Sequence, residues 1–167
     1  GQSMEQQYHG SYLDGNLSTM IDGGNIKYIL ADGTGPMSDQ FSRNFRHYLW
    51  WDNVIYVIDD IKSYQNGSFE WLWHPGGDYK KNNGDVEISK GDAAVVLRQL
   101  YPQPLIPSGF LQDYPEHFTM DEVNAPSEDE KGEKYLSFKL PAVTNQVKAV
   151  MAIILEDKPN QKDLPVI

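Results

Sequence analysis

No cysteine occurs in this sequence, which removes disulfides and thiolate chemistry from consideration. The redox compartment stays open, because a cysteine-free chain suits the cytoplasm, a bacterial periplasm and a cell surface alike. Positive charge is scarce: 14 Lys and Arg stand against 24 Asp and Glu, for a net charge of −10. No basic stripe exists to neutralise phosphates, so nucleic acid is not an expected partner. A polyanion held by surface charge alone is disfavoured for the same reason. No apolar run approaches the ~18 residues a membrane span needs. The motifs of catalytic cofactors and metals are missing too. There is no G-x-S-x-G, and His9, His47, His74 and His117 lack H-x-H or H-x-x-x-H spacing. Neither a metal nor a cofactor is expected. No leader peptide opens the sequence, but Gly1 resembles the residue left by a cleaved tag, so that absence says little.

Helical periodicity is also scarce, and what replaces it is period-2 alternation. Ile26 to Leu30 reads as a strand ending at Asp32-Gly33. Phe45, His47, Leu49 and Trp51 alternate with Arg46, Tyr48 and Trp50 along a second strand. Asp52-Asn53 suits a two-residue turn into the β-branched strand Val54 to Ile58. Asn66-Gly67 is the strongest hairpin signal, leading into Ser68 to His74. Val86 to Ser89 and Ala93 to Leu100 pair across Lys90-Gly91-Asp92, and Tyr135 to Leu140 and Val147 to Leu155 across Thr144-Asn145-Gln146. The pattern fails from Tyr101 to Lys134, a proline-rich, partly acidic segment read as a long irregular insertion. Residues 158–167 read as an extended tail. The 167 residues fit one domain able to bury roughly 70% of its unfolded surface, with its core over about 25–155. Short strands at hairpin spacing predict an all-β, antiparallel β-sandwich with large curved sheets and little helix.

All four tryptophans lie between Trp50 and Trp73. Trp71 and Trp73 share a strand face and could stack a sugar ring, with Trp50 extending the platform from a neighbouring strand. The competing reading is core packing, since alternate aromatics facing a second sheet each bury about 150–250 Å². Asp59 and Asp60 invite an acid/base reading, but adjacent strand residues point to opposite faces and cannot serve one substrate. The simpler expectation is that they satisfy backbone donors or an arginine such as Arg46. Arg46 could instead clamp a substrate carboxylate bidentately. His74, before Pro75-Gly76-Gly77, sits at a strand end where functional groups gather. The substrate-binding candidates are therefore His74, Trp73, Trp71 and Arg46, with no catalytic residue among them.

The order of these segments resembles the C-terminal β-domain of heparinase II/III-like polysaccharide lyases. Arg43-Asn44-Phe45-Arg46-His47 opens a strand, Val54-Ile55-Tyr56-Val57-Ile58-Asp59-Asp60 is similar to a V-V-V-D-D strand, and Trp71-Leu72-Trp73-His74 to a W-x-x-H strand end. The segment from Ala94 to Pro102 is similar to an L…L-x-P strand, Tyr28 to Asp32 to Y-x-x-A-D, and Ala149 to Leu155 to a late strand. The resemblance implies β-elimination on uronic-acid glycans, catalysed by a Tyr/His pair with an Asn on a helical toroid that this sequence lacks. A metal-binding His-rich segment of the family is also lacking. The chain is therefore expected to supply scaffold and one wall of the cleft, to be inactive alone, and to partner an acidic polysaccharide and the toroid domain of the same parent protein. A periplasmic, cell-surface or secreted bacterial location is implied. A non-catalytic carbohydrate-binding or structural interaction module is the alternative. Self-association of the isolated chain is expected through open sheet edges, with the tryptophan-rich face and Val147 to Leu155 as its seats.

Overall fold

The computed structural model describes residues 13–82, 85–102, 119–124, 134–140 and 143–156. Among them run eleven strands: β1 (Asn16–Asp22), β2 (Ile26–Asp32), β3 (Phe41–Trp51), β4 (Val54–Gly67), β5 (Glu70–Trp73), β6 (Asp78–Asn82), β7 (Asp85–Lys90), β8 (Ala93–Tyr101), β9 (Thr119–Asn124), β10 (Lys134–Lys139) and β11 (Thr144–Glu156). They form two antiparallel sheets. One has eight strands in the order β1-β2-β3-β4-β11-β8-β7-β6, the other three in the order β5-β10-β9. The expected all-β sandwich is what the chain adopts. No helix among the described residues is long and apolar enough to cross a membrane.

Turn chemistry sets the meanders. Asp52 takes φ +54° at the β3–β4 turn, a left-handed conformation that Asp tolerates well. That turn is tied to β11, because the Leu155 N–H donates to the Asn53 carbonyl at 2.8 Å and the Asn53 amide donates back to the Leu155 carbonyl at 3.3 Å. Gly91, at φ +63°, closes the β7–β8 turn.

Alternation then sorts the side chains. Val57, Val147, Ala149, Met151, Val86 and Leu97 on the large sheet pack against Phe69, Trp71, Leu136, Phe138 and Leu140 of the small sheet and its flanks. Leu136, Phe138 and Leu140 are at most 1% exposed. Burying each such side chain contributes about 1.5–3 kcal/mol. A second buried cluster, with Val54, Tyr56, Val96, Ala152 and Ile154, occupies the opposite face of the large sheet.

Four expectations change. Asn66-Gly67 makes no hairpin: β4 continues to Gly67 and β5 joins the other sheet. The free side of β4 is taken by β11, and the inward aromatics of β5 are buried by facing the large sheet. For the same reason β10 and β11 are not partners but belong to different sheets. The segment from Tyr101 to Lys134 is not wholly irregular, since Thr119–Asn124 pairs with β10; residues 103–118 and 125–133 lie outside the described residues, as does the 158–167 tail. Finally, Val147 to Leu155 is no open edge, because β11 is paired on both sides by β4 and β8.

Candidate functional site

The residues singled out in the sequence divide into a buried network and an exposed strand end. In the network, Arg46 of β3 and Asp59 of β4 are direct cross-strand partners. The Arg46 Nε donates to Asp59 Oδ1 at 2.7 Å and its Nη2 donates to Oδ2 at 2.8 Å. From the small sheet, the Trp71 indole N–H donates to the same Oδ2 at 2.6 Å. Asp59 is only 3% exposed, so its charge is tolerable only because three donors surround it. The hydrogen bonds to Asp59 raise the Arg46 guanidinium above its ordinary value, against an opposing desolvation. Arg46 is thus committed to Asp59 rather than presented as a free carboxylate clamp. Trp71 is 7% exposed and lies in the core between the sheets. It offers no ring face to a ligand.

Asp60 points the other way, as the alternation requires. Arg43 Nη2 stands 2.8 Å and Lys148 Nζ 3.5 Å from its carboxylate oxygens. The doubled aspartate therefore serves two ion-pair systems on two sheet faces, and it is not an acid/base pair.

The exposed strand end is different in character. His74 is exposed and stacks on Tyr135, with ring centroids 3.9 Å apart and an interplanar angle of 28°. Tyr135 is itself buried and belongs to β10, so the small sheet holds the imidazole in place. No hydrogen-bond partner engages the His74 ring nitrogens among the described residues. Trp73 is half-buried against the core, with its indole N–H enclosed and without a hydrogen-bond partner among the described residues. Trp73 therefore points into the core while His74, its neighbour on the strand, points to the opposite face, where its stacking on Tyr135 makes a fixed aromatic ledge that presents an imidazole to solvent.

Trp50 does not extend this ledge. It sits on β3 in the large sheet, whereas Trp71 and Trp73 are on β5 in the small one, so these strands are not neighbours. A pair that sequence reasoning missed also lies on β2 and β3: the Tyr28 hydroxyl meets His47 Nδ1 at 2.8 Å. The signal was the alternation that puts His47 and Tyr28 on one sheet face, but nothing in one sequence reports the β2–β3 register. Among the described residues no group of three or more His, Asp or Glu side chains is gathered to hold a metal, and His9 and His117 lie outside them.

No protein family and no curated protein matches the sequence. Solved structures do match. A heparinase III with methylated lysines superposes with a TM-score of 0.63 at 14% identity, over 87% of this chain and 22% of its own. The heparan sulfate lyase HepC from Pedobacter heparinus superposes at 0.61 and 12% identity, over 89% and 22%. A mutant of that lyase gives 0.60 and 13%, over 90% and 22%. The likeness is one of fold. The chain spans little more than a fifth of the lyases it resembles.

Proposed function

We propose that this chain is the β-sandwich portion of a heparinase II/III-like polysaccharide lyase that cleaves uronic-acid glycans by β-elimination. In that reaction a base removes the proton α to the uronate carboxylate, a double bond forms, and the glycosidic oxygen departs and is protonated. The observation that supports this reading is the superposition of nearly the whole chain on part of two heparin-type lyases. The chain supplies scaffold and one wall of the substrate cleft, with His74 on its Tyr135 ledge facing the substrate. Its partners are the acidic glycan and a helical toroid domain of the same parent protein, in a bacterial periplasm or at the cell surface.

The site geometry agrees with a supporting role. Arg46 and Asp59 are consumed by each other and by Trp71, and the exposed His74 imidazole is stacked on the buried Tyr135 ring, with no hydrogen-bonded acid or base partner at its ring nitrogens among the described residues. Heparin, heparan sulfate, alginate and hyaluronan are the substrates to try, with unsaturated-uronate absorbance as the readout for turnover. The expected result is none from this chain alone, while size-defined oligosaccharides of the same glycans shift the His74 ring resonances. Turnover, or an unmoved His74 with every acidic glycan, sinks the proposal.

A further inference from the structure

The β1–β2 and β3–β4 turns lie side by side at one end of the large sheet and enclose an open cleft of about 480 Å³ lined by Gly24, Asn25, Lys27, Trp50, Trp51 and Asp52. We propose that this cleft binds a neutral pyranose ring of a glycan. Its size falls within the ~300–1,000 Å³ of small-molecule sites.

The first argument is the platform. Trp50 is 44% exposed, high for an indole, yet its N–H is already engaged by the Asp52 carbonyl at 2.9 Å. The hydrogen bond fixes the ring and leaves its face without a polar demand. Such a fixed, exposed face suits the C–H face of a pyranose, whose partial positive charge complements the aromatic quadrupole.

Polar groups around the cleft come next. The Asn25 amide and the Asp52 carboxylate have no hydrogen-bond partner among the described residues. Together they supply both donors and acceptors for vicinal hydroxyls. Lys27, by contrast, is held by Asp22 at 2.5 Å and contributes little free positive charge.

Charge decides the ligand class. One lysine faces two carboxylates, Asp22 and Asp52, in a protein of net charge −10. A uronate or sulfate would meet net repulsion, whereas a neutral ring meets none. The walls are also preorganised, which lowers the ordering cost of binding. Gly24, at φ +79°, donates its N–H to Asp22 Oδ1 at 2.9 Å, and the opposite turn is tied to β11 through Asn53. The inference does not rest on the lyase reading, since none of these residues belongs to the His74 ledge.

The test is an NMR titration of the intact chain with cellotriose, maltotriose and the N-acetylglucosamine trimer, and with trigalacturonate as the anionic counterpart. At least one neutral trisaccharide is expected to move the Trp50 indole and Asn25 side-chain resonances, and Trp50→Ala to weaken that binding about tenfold or more. Asn25→Ala, at an exposed turn position, carries the same test should Trp50→Ala fail to fold. The proposal is overturned if no neutral trisaccharide moves these resonances, if the binding survives the substitutions, or if trigalacturonate occupies the cleft more tightly.

Discussion

Removing Arg46 should cost more than removing Asp59, although the two form one ion pair. Asp59 is 3% exposed, whereas the Arg46 side chain is 40% exposed. In Arg46→Ala a buried carboxylate keeps, among the described residues, only the Trp71 donor, the situation that costs about 3–5 kcal/mol. In Asp59→Ala the guanidinium turns to water, and the main residual penalty is the stranded Trp71 N–H, about 1–3 kcal/mol. For a chain of this size 1 kcal/mol moves Tm by roughly 2–4 °C. Thermal melts should therefore show Arg46→Ala lowered on the order of 10 °C and Asp59→Ala on the order of 5 °C. The double variant should fall near Asp59→Ala rather than at the sum, because the buried charge is gone. An Asp59→Ala variant as unstable as Arg46→Ala, or additive effects in the double variant, refutes this account of the network.

Tyr56→Phe tests the opposite face. The Tyr56 hydroxyl is buried without a hydrogen-bond partner among the described residues and burial raises its pKa, so the folded state resists ionisation above pH ~10 while the unfolded state ionises freely. Stability should fall as pH rises above that point; Tyr56→Phe should lessen the fall and add about 1 kcal/mol at neutral pH, as urea melts at pH 7 and pH 11 would show, and a loss of stability at pH 7 counts against it. At the sheet margin, β1 is an edge strand with Leu17, Met20 and Ile21 more than half exposed. Self-association through this edge should grow with protein concentration and with salt, which screens the net charge of −10. In sedimentation velocity Met20→Lys should reduce it, and a clean monomer at high protein and high salt would remove this role for β1.

Where burial dictates pattern, the sequence could be read. β3 and β4 alternate because both faces of the large sheet have distinct environments, and Asp52-Asn53 and Gly91 declare their turns. β1 was silent because Leu17, Met20 and Ile21 are all exposed: an edge strand is held by β2 through backbone bonds, which leave no mark on side-chain choice. Asn66-Gly67 misled because turn propensity reports local geometry and not which sheet the next strand enters. At the site, the Arg46–Asp59 pairing was legible as one of two options. Trp71 as third donor was not, since it reaches Asp59 from the other sheet.

The position of β11 has a kinetic consequence. The large sheet consists of two local meanders, β1 to β4 and β6 to β8, and β11 is the sole strand joining them. Its partners come from distant parts of the chain: Ile154 faces both Val54 and Val96. Each meander can zip up early at small loop-closure cost, but the seam waits for the last strand of the described chain. During synthesis β4 offers a bare edge rich in valine and isoleucine, and β8 one carrying Val95, Val96 and Leu97, until residue 156 has emerged. The late arrival of one strand makes the interval before residue 156 emerges, rather than equilibrium stability, the stage at which this sheet is most open to misassembly.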